Sequence, residues 1–274
     1  MISLRSCLAI LLGGLCIACP LPVPAQDDHT VSIVADEYEF RGPDRILPGR
    51  TTIEIVNEGQ ELHHIQLVRL PPGKTPADFA AELKTSPSKL PGWIIFAGGP
   101  NAVTPGAKAR ATMNLEPGNY LLLCLVPTHT GAPHLSLGMV KSLQVRGSVS
   151  REAVKTSSGP TIMLLDYGFS VPQSIPSGTQ TIQVTNRGKV PHEVLVVQLS
   201  PDKSVSDFGA FSEKPSGHPP GKPMGGMVGL DTGRQGTFTV DFQPGKYGLI
   251  CFFPDPETGL PHYRRGMLSE FIVK

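Results

Sequence analysis

Eight side chains able to hold a metal ion fall into two sets of four. His63, Cys124, His134 and Met139 make the first; His192, Cys251, His262 and Met267 make the second. In each set three donors share one short segment, Cys-x9-His-x4-Met in the first and Cys-x10-His-x4-Met in the second. The remaining His stands six residues after an Asn, at Asn57 and at Asn186. Thiolate and thioether favour Cu(I), while imidazole suits both oxidation states of copper. Two imidazoles, one thiolate and a weak axial thioether therefore hold copper with little rearrangement when one electron passes. Zinc would take the two His and the Cys but has little use for the Met. The competing reading is packing, since a buried free Cys behaves as a small hydrophobe.

The elements that must position these donors are themselves duplicated. Tyr38, Phe40, Pro43, Ile46, Gly49, Ile53, Ile55, Asn57 and Gly59 recur as Tyr167, Phe169, Pro172, Ile175, Gly178, Ile182, Val184, Asn186 and Gly188. Later, Pro-Gly-x-Tyr-x3-Cys ends at Cys124 and again at Cys251. Thr51–Val56 and Thr179–Val184 alternate apolar and polar residues, the period of a half-buried strand. Further strands are predicted at 65–68, 111–115 and 142–145, and in the second copy at 194–197, 237–242 and 270–273. One short helix per copy is predicted, at 75–84 and 204–211, with Pro76 in an early helical position. A strand that ends at the Cys, a loop and a final strand would set three donors at one end of a sandwich. The expected fold is all-β, two tandem Greek-key sandwiches, each with its own core.

Both copies resemble cupredoxins, the blue (type 1) copper domains. The resemblance rests on Pro117–Cys124 and Pro244–Cys251, on Asn57…His63 and Asn186…His192, on Cys124…Pro127 and Cys251…Pro254, and on the His-x4-Met ends. It covers nearly all of the chain after residue 25. It implies up to two type 1 copper sites, with His63, His134, His192 and His262 as nitrogen ligands. Cys124 and Cys251 would be the thiolates, Met139 and Met267 the axial ligands. It implies one-electron transfer with a redox partner protein through an exposed His edge, an electron carrier or copper-binding protein more than an enzyme. Two other readings stay open: a metal-free binding scaffold, and a copper oxidase or nitrite reductase-like enzyme. The last is disfavoured because the cysteines are flanked by Leu123, Leu125, Ile250 and Phe252 rather than by His. His63-His64 is an adjacent pair, not His-x-His, and Glu193 follows His192. His129, at Cys-x4-His, competes with His134 but has no repeat counterpart.

Composition bounds the rest. The chain has 274 residues, 24 Lys+Arg against 23 Asp+Glu, so no basic field exists for a nucleic-acid backbone. Its 30 Gly and 28 Pro suit a turn-dense β protein. Residues 1–25 read as a secretory signal: Arg5, an apolar run from Leu8 to Ala18, then Val23-Pro24-Ala25. Lipid attachment at Cys19 is disfavoured because Cys16 stands where Leu is usual. The expected location is periplasmic or secreted, with no membrane span after signal removal. Copy one is assigned to 26–146, a linker to 147–160 and copy two to 161–274. Only Cys124 and Cys251 follow the signal, and no bridge is expected between them. Met224-Gly225-Gly226-Met227 reads as a Gly-rich loop, with a soft metal site involving His218 as the alternative. Arg264 and Arg265 read as a solvated loop, with a docking patch as the alternative.

Overall fold

The computed structural model describes residues 29–87, 89–148 and 159–274; the signal segment and most of the linker lie outside the described residues. The first copy runs β1 (His29–Asp36), β2 (Glu39–Arg41), β3 (Arg45–Ile46), β4 (Gly49–Asn57), β5 (Gln66–Leu70), α1 (Pro76–Thr85), β6 (Ile95–Gly98), β7 (Lys108–Leu115), β8 (Gly118–Leu123) and β9 (Val140–Val145). The second runs β10 (Thr161–Leu165), β11 (Gly168–Ser170), β12 (Gly178–Asn186), β13 (His192–Leu199), α2 (Val205–Glu213), β14 (Gly221–Leu230), β15 (Gln235–Phe242), β16 (Gly245–Ile250) and β17 (Leu268–Val273). The fold is all-β with two sheets, as the alternating segments imply. Both helices start where a hydroxyl can cap them: Thr75 with Asp78, and Ser204 with Asp207, each form a reciprocal capping box.

Among the described residues one sheet has the order β11-β10-β12-β15-β7-β4-β1-β2, and the other β17-β16-β13-β14-β6-β5-β8-β9-β3. Each copy contributes four strands to the first sheet, and to the second copy one gives five strands and copy two four. The halves meet along β15 and β7, antiparallel, with Phe238 opposite Ala111 and Thr237 opposite Thr112. They also meet at β14 and β6, where Leu230 pairs with Ala97. This corrects the expectation of separate cores. One buried cluster joins Ile33, Ile55 and Leu122 of copy one to Ile182, Phe238 and Leu249 of copy two. The physical reason is that β7 and β15 would otherwise be edge strands with unpaired backbone groups. Pairing them to each other removes both edges.

The Gly-rich loop reading of residues 224–227 is also corrected, because these residues lie within β14. Gly226 has φ +137°, and a Cβ there would sit 2.1 Å from the Val194 carbonyl oxygen. Gly99, its counterpart, would meet the Ile65 carbonyl oxygen at 2.0 Å. Glycine is needed at both because the strands approach too closely for a side chain. Met227 is fully buried, its Sδ accepting from Gly99 N–H at 3.4 Å, and His218 is exposed. These residues do not form a shared site.

Candidate metal centres

The repeated motifs deliver their donors by repeated local devices. In the Pro-Gly-x-Tyr runs, the Tyr is buried and its hydroxyl donates to a carbonyl four residues upstream. The bonds are Tyr120 to Glu116 and Tyr247 to Gln243, both 3.0 Å. This locks the corner that leads β8 and β16 to their cysteines. The Asn before each first His organises its loop. Asn57 Nδ2 donates to the Glu61 and Val103 carbonyls at 2.8 and 2.9 Å, and its Oδ1 accepts from Gly59 N–H at 2.9 Å. Asn186 repeats this with Val190, Leu230 and Gly188.

All these segments end on one side of the sandwich, at the ends of β4 and β8 and the starts of β5 and β9, with the same arrangement in copy two. In copy one, His63 Nδ1 lies 3.1 Å from His134 Nδ1, and Cys124 Sγ lies 3.8 and 3.5 Å from the two. In copy two, His192 Nδ1 and His262 Nδ1 are 2.9 Å apart, and Cys251 Sγ is 3.5 Å from His262 Nδ1. Each trio keeps its donor atoms within 4.8 Å of one another, with all three residues buried. Met139 is fully buried beside its trio: its N–H donates to the His134 carbonyl and its carbonyl accepts from Cys124 N–H. Met267 stands likewise between His262 and Cys251. His129 is exposed and outside the trio. Both cysteines are free thiols, so no bridge consumes them.

Three acidic residues that the sequence reading left unassigned complete the sites. Glu37 Oε1 is 3.0 Å from His63 Nε2, and Asp166 Oδ1 is 3.1 Å from His192 Nε2. Glu61 Oε2 is 2.8 Å from His134 Nε2. A carboxylate on Nε2 takes that nitrogen's proton as a hydrogen bond and leaves Nδ1 with a bare lone pair. In copy one both Nδ1 lone pairs then face each other and the thiol. Repulsion between lone pairs at 3.1 Å is relieved by a proton or a cation placed between them. Bond lengths of about 2.0 Å to nitrogen and about 2.3 Å to sulfur in a trigonal plane would set N–N near about 3.5 Å and S–N near about 3.7 Å. The trios are close to those spacings, so the residues fit a metal ion. Gly59 and Gly188 are required here for space. A Cβ at Gly188 would lie 2.5 Å from both Asp166 Oδ1 and His192 Nε2.

Signals for the acids were present. Glu37 and Asp166 immediately precede the repeated Tyr38 and Tyr167. Glu61 has no such support, because Val190 occupies its place in copy two. His262 Nε2 is accordingly a buried nitrogen without a hydrogen-bond partner.

Burial sets the protonation states. It pushes the Cys124 thiol up to about 12 and raises Cys251 as well. Backbone N–H groups of His64 and Val126 oppose this at Cys124, as do those of Glu193 and Phe253 at Cys251. Burial also lowers His63 and His192, and lowers His262 to about 4. Neutral imidazoles at His63, His192 and His262, with thiols at both cysteines, are thus the resting state at neutral pH. A bound cation must displace the thiol proton, so metal uptake is expected to release about one proton per site, measurable by pH-stat titration.

The residues following the first histidines are also buried. His64 Nε2 accepts from Leu125 N–H at 2.8 Å, and burial lowers its pKa to about 3. Glu193 Oε1 accepts from Phe252 N–H at 2.8 Å, and burial raises its pKa to about 7. These two groups pull the metal-free protein in opposite directions. Between about pH 4.5 and 7 the folded chain retains a proton on Glu193 that the unfolded chain has released, so stability falls as pH rises. Between about pH 3 and 6.5 the unfolded chain protonates His64 while the folded chain refuses, so stability falls as pH drops. In urea melts of the metal-free protein, Glu193→Gln should gain stability relative to the parent on going from pH 4.5 to 7.5. A difference constant across that range would overturn the assignment.

The expectation of an exposed imidazole edge is corrected: all four histidines are 0% exposed. The half-buried ring of Tyr38 packs edge-on against His134 at 4.8 Å, and Tyr167 against His262 at 5.3 Å. Over the second centre Arg265 stacks on Tyr167 at 3.8 Å and pairs with Asp255, while Arg264 pairs with Glu213. Both arginines are therefore held by partners rather than simply solvated.

No family model matches the chain, and no curated protein matches it. Among solved structures, it is similar to a dithionite-reduced auracyanin from Roseiflexus castenholzii, at 21% identity and TM-score 0.31, over 42% of this chain and 94% of that one. It is similar to auracyanin A of Chloroflexus aurantiacus, described as a "blue" copper protein, at 19% identity and TM-score 0.28, over 42% of this chain and 98% of the other. A Cu-containing nitrite reductase from Thermus scotoductus matches 90% of this chain and 61% of its own, at 14% identity and TM-score 0.26. The two-sheet fold with a Cys, two His and a Met gathered at one end of each half is consistent with a cupredoxin-like protein. It is this donor set, rather than the likenesses, that points to chemistry.

Proposed function

We propose that the chain binds copper at two centres, one per copy, and serves in one-electron transfer outside the cytoplasm. The observation that carries this reading is the duplicated trio of two imidazole Nδ1 atoms and one thiol sulfur, within 4.8 Å and fully buried. Bound copper would supply a one-electron couple. His63, His134 and Cys124 would hold it in copy one, and His192, His262 and Cys251 in copy two, with Met139 and Met267 buried beside them. Glu37, Glu61 and Asp166 orient the imidazoles through Nε2. The backbone N–H groups aimed at each sulfur favour its thiolate form. Burial of all three donors keeps water away. A redox partner would meet the half-buried Tyr38 or Tyr167 rather than a bare imidazole.

Oxidase or nitrite reductase chemistry has less support. The polar side chains next to the ligands, His64 and Glu193, are already engaged by Leu125 and Phe252 N–H. Among the described residues, the two trios are the clusters of His, Cys, Asp and Glu with metal-holding geometry. No helix there is long and apolar enough to cross a membrane. Copper analysis and an absorption spectrum of the purified protein test the proposal. The expected result is two copper ions per chain and a visible thiolate-to-Cu(II) band. A copper-loaded but colourless protein, or one that retains no copper, overturns it. Turnover of oxygen or nitrite would move the chain to the enzyme reading.

A further inference from the structure

The two centres differ in one contact behind their imidazoles. In both copies the first histidine turns Nε2 to a carboxylate, His63 to Glu37 and His192 to Asp166. The second histidines part ways. His134 Nε2 lies 2.8 Å from Glu61 Oε2, whereas His262 Nε2 has no hydrogen-bond partner among the described residues. Both rings are fully buried, so solvent does not stand in for the missing carboxylate.

The cause lies at a single position. Residues 61 and 190 are equivalent, and the chain places them alike. Asn57 Nδ2 donates to the Glu61 carbonyl at 2.8 Å, and Asn186 Nδ2 to the Val190 carbonyl at 2.9 Å. Glu61 reaches its histidine; valine has no acceptor to offer. No other acid takes over in copy two. Tyr167 packs edge-on against His262, and its hydroxyl donates to Asp255 at 2.7 Å. That carboxylate also accepts from Thr258 N–H at 2.8 Å and pairs with Arg265.

A neutral imidazole carries one proton, and its outer hydrogen bond decides which nitrogen keeps it. At His134 the carboxylate holds the proton on Nε2 and leaves Nδ1 bare toward the other donors. At His262 nothing holds a proton on Nε2, while Nδ1 lies 2.9 Å from the His192 Nδ1 that Asp166 has left bare. The metal-free second centre is therefore closed by a hydrogen bond from His262 Nδ1–H to His192 Nδ1. A metal ion must break that bond and move the proton to a nitrogen without an acceptor. A carboxylate behind a ligating imidazole also makes it a stronger donor. Stronger donation and added negative charge favour Cu(II) over Cu(I).

We propose that Glu61 is a positioning residue that makes the two centres unequal. It biases the first toward Cu(II) and a lower reduction potential, so that a single electron added to the oxidised chain rests on the second. The inference rests on the reading that both trios bind copper. Electrons balance within the pair: Cu(I) at the first centre becomes Cu(II) as Cu(II) at the second becomes Cu(I).

The test uses the full chain with one centre disabled at a time. Cys251→Ser retains the first centre and Cys124→Ser the second. Competition with chromophoric chelators gives the Cu(II) and Cu(I) dissociation constants of each. Their ratio is expected to favour Cu(II) more in Cys251→Ser than in Cys124→Ser. Adding Glu61→Val, which installs the copy-two residue, should weaken Cu(II) binding at the first centre about tenfold or more, and Cu(I) binding less. Adding Val190→Glu to Cys124→Ser should shift the second centre the opposite way. Nitrogen-15 spectra of the histidine rings in the metal-free parent, in mildly alkaline buffer, read the tautomers without copper. The proton is expected on Nε2 in His134 and on Nδ1 in His262. Glu61→Gln, whose amide carbonyl still accepts, should keep the His134 tautomer, and Glu61→Val should lose it. Equal ratios in the two single-centre proteins, an equal loss of Cu(II) and Cu(I) binding in Glu61→Val, or an Nε2 proton in His262 overturns the inference. If Glu61→Val does not fold, Val190→Glu decides, and an unchanged ratio there overturns it. If Cys251→Ser binds no copper at all, the copper reading of the first centre falls, and this inference with it.

Discussion

Cys251→Ser should abolish the visible band of the second centre, whereas Met267→Leu should retain it. The thiolate–copper bond creates the absorption, so replacing sulfur by a hydroxyl oxygen removes its source. The axial thioether is a long, weak ligand that mainly tunes the potential. Met267→Leu is expected to hold copper and colour but to raise the reduction potential, because losing a donor disfavours Cu(II). Met267 is fully buried, and leucine is close to it in volume, so the packing cost should stay under about 1.5 kcal/mol. The same contrast is expected for Cys124→Ser and Met139→Leu. Each pair is measured with the other centre disabled, so that overlapping spectra are separated. Should Cys251→Ser and Met267→Leu both leave copper content and spectrum unchanged, the second set is packing and the two-centre reading fails.

Phe238→Ala should destabilise both copies at once. Phe238 is 1% exposed, stands opposite Ala111 where the copies meet, and belongs to the cluster that spans them. Truncating a buried Phe costs about 3–5 kcal/mol. The chain's one tryptophan, Trp93, lies in copy one against Phe79, with its indole N–H donating to Glu82 at 2.6 Å. Its fluorescence reports on the copy that does not carry the substitution. A shared core predicts that the Trp93 unfolding midpoint in urea falls with Phe238→Ala and coincides with the far-ultraviolet transition. An unmoved Trp93 midpoint would mean that the copies unfold independently and that their join adds little.

Much of this arrangement was legible in the residues. The period-2 segments at 51–56 and 179–184 lie inside β4 and β12, and both short helices form within two residues of their expected bounds. The donors could be paired because each stands beside a motif with its own local work, Asn57 and Asn186 in the loops and Tyr120 and Tyr247 at the corners. What escaped was non-local. Whether β7 and β15 pair with each other depends on two edges distant in sequence, and no period within either strand encodes it. The sequence Met224-Gly225-Gly226-Met227 has turn composition, yet its glycines serve close strand approach. The carboxylates on the imidazoles come from other loops, so spacing around the histidines did not reveal them. The burial of the histidines was missed because Tyr38 and Tyr167 cover them from the opposite end of each copy's sequence.

The register at the join has an evolutionary consequence. Ala111 and Phe238 are equivalent positions facing each other, and Thr237–Thr112 and Thr239–Arg110 exchange places about them. That is the pairing of an isologous homodimer, in which one patch meets itself. Two identical chains would be bound to use the same residue on both sides of the axis. A tandem chain is free of that constraint, and this one has broken the symmetry where it matters. Ala111 is matched by the larger Phe238, and His64 by the acid Glu193. Glu61 is matched by Val190, and Asn101 by Val228. Asn101 reaches Glu193 of the other copy, whereas its counterpart Val228 has no polar group to offer His64. Within this tandem chain the contact is not self-complementary but has a direction, and the two centres on either side of it differ.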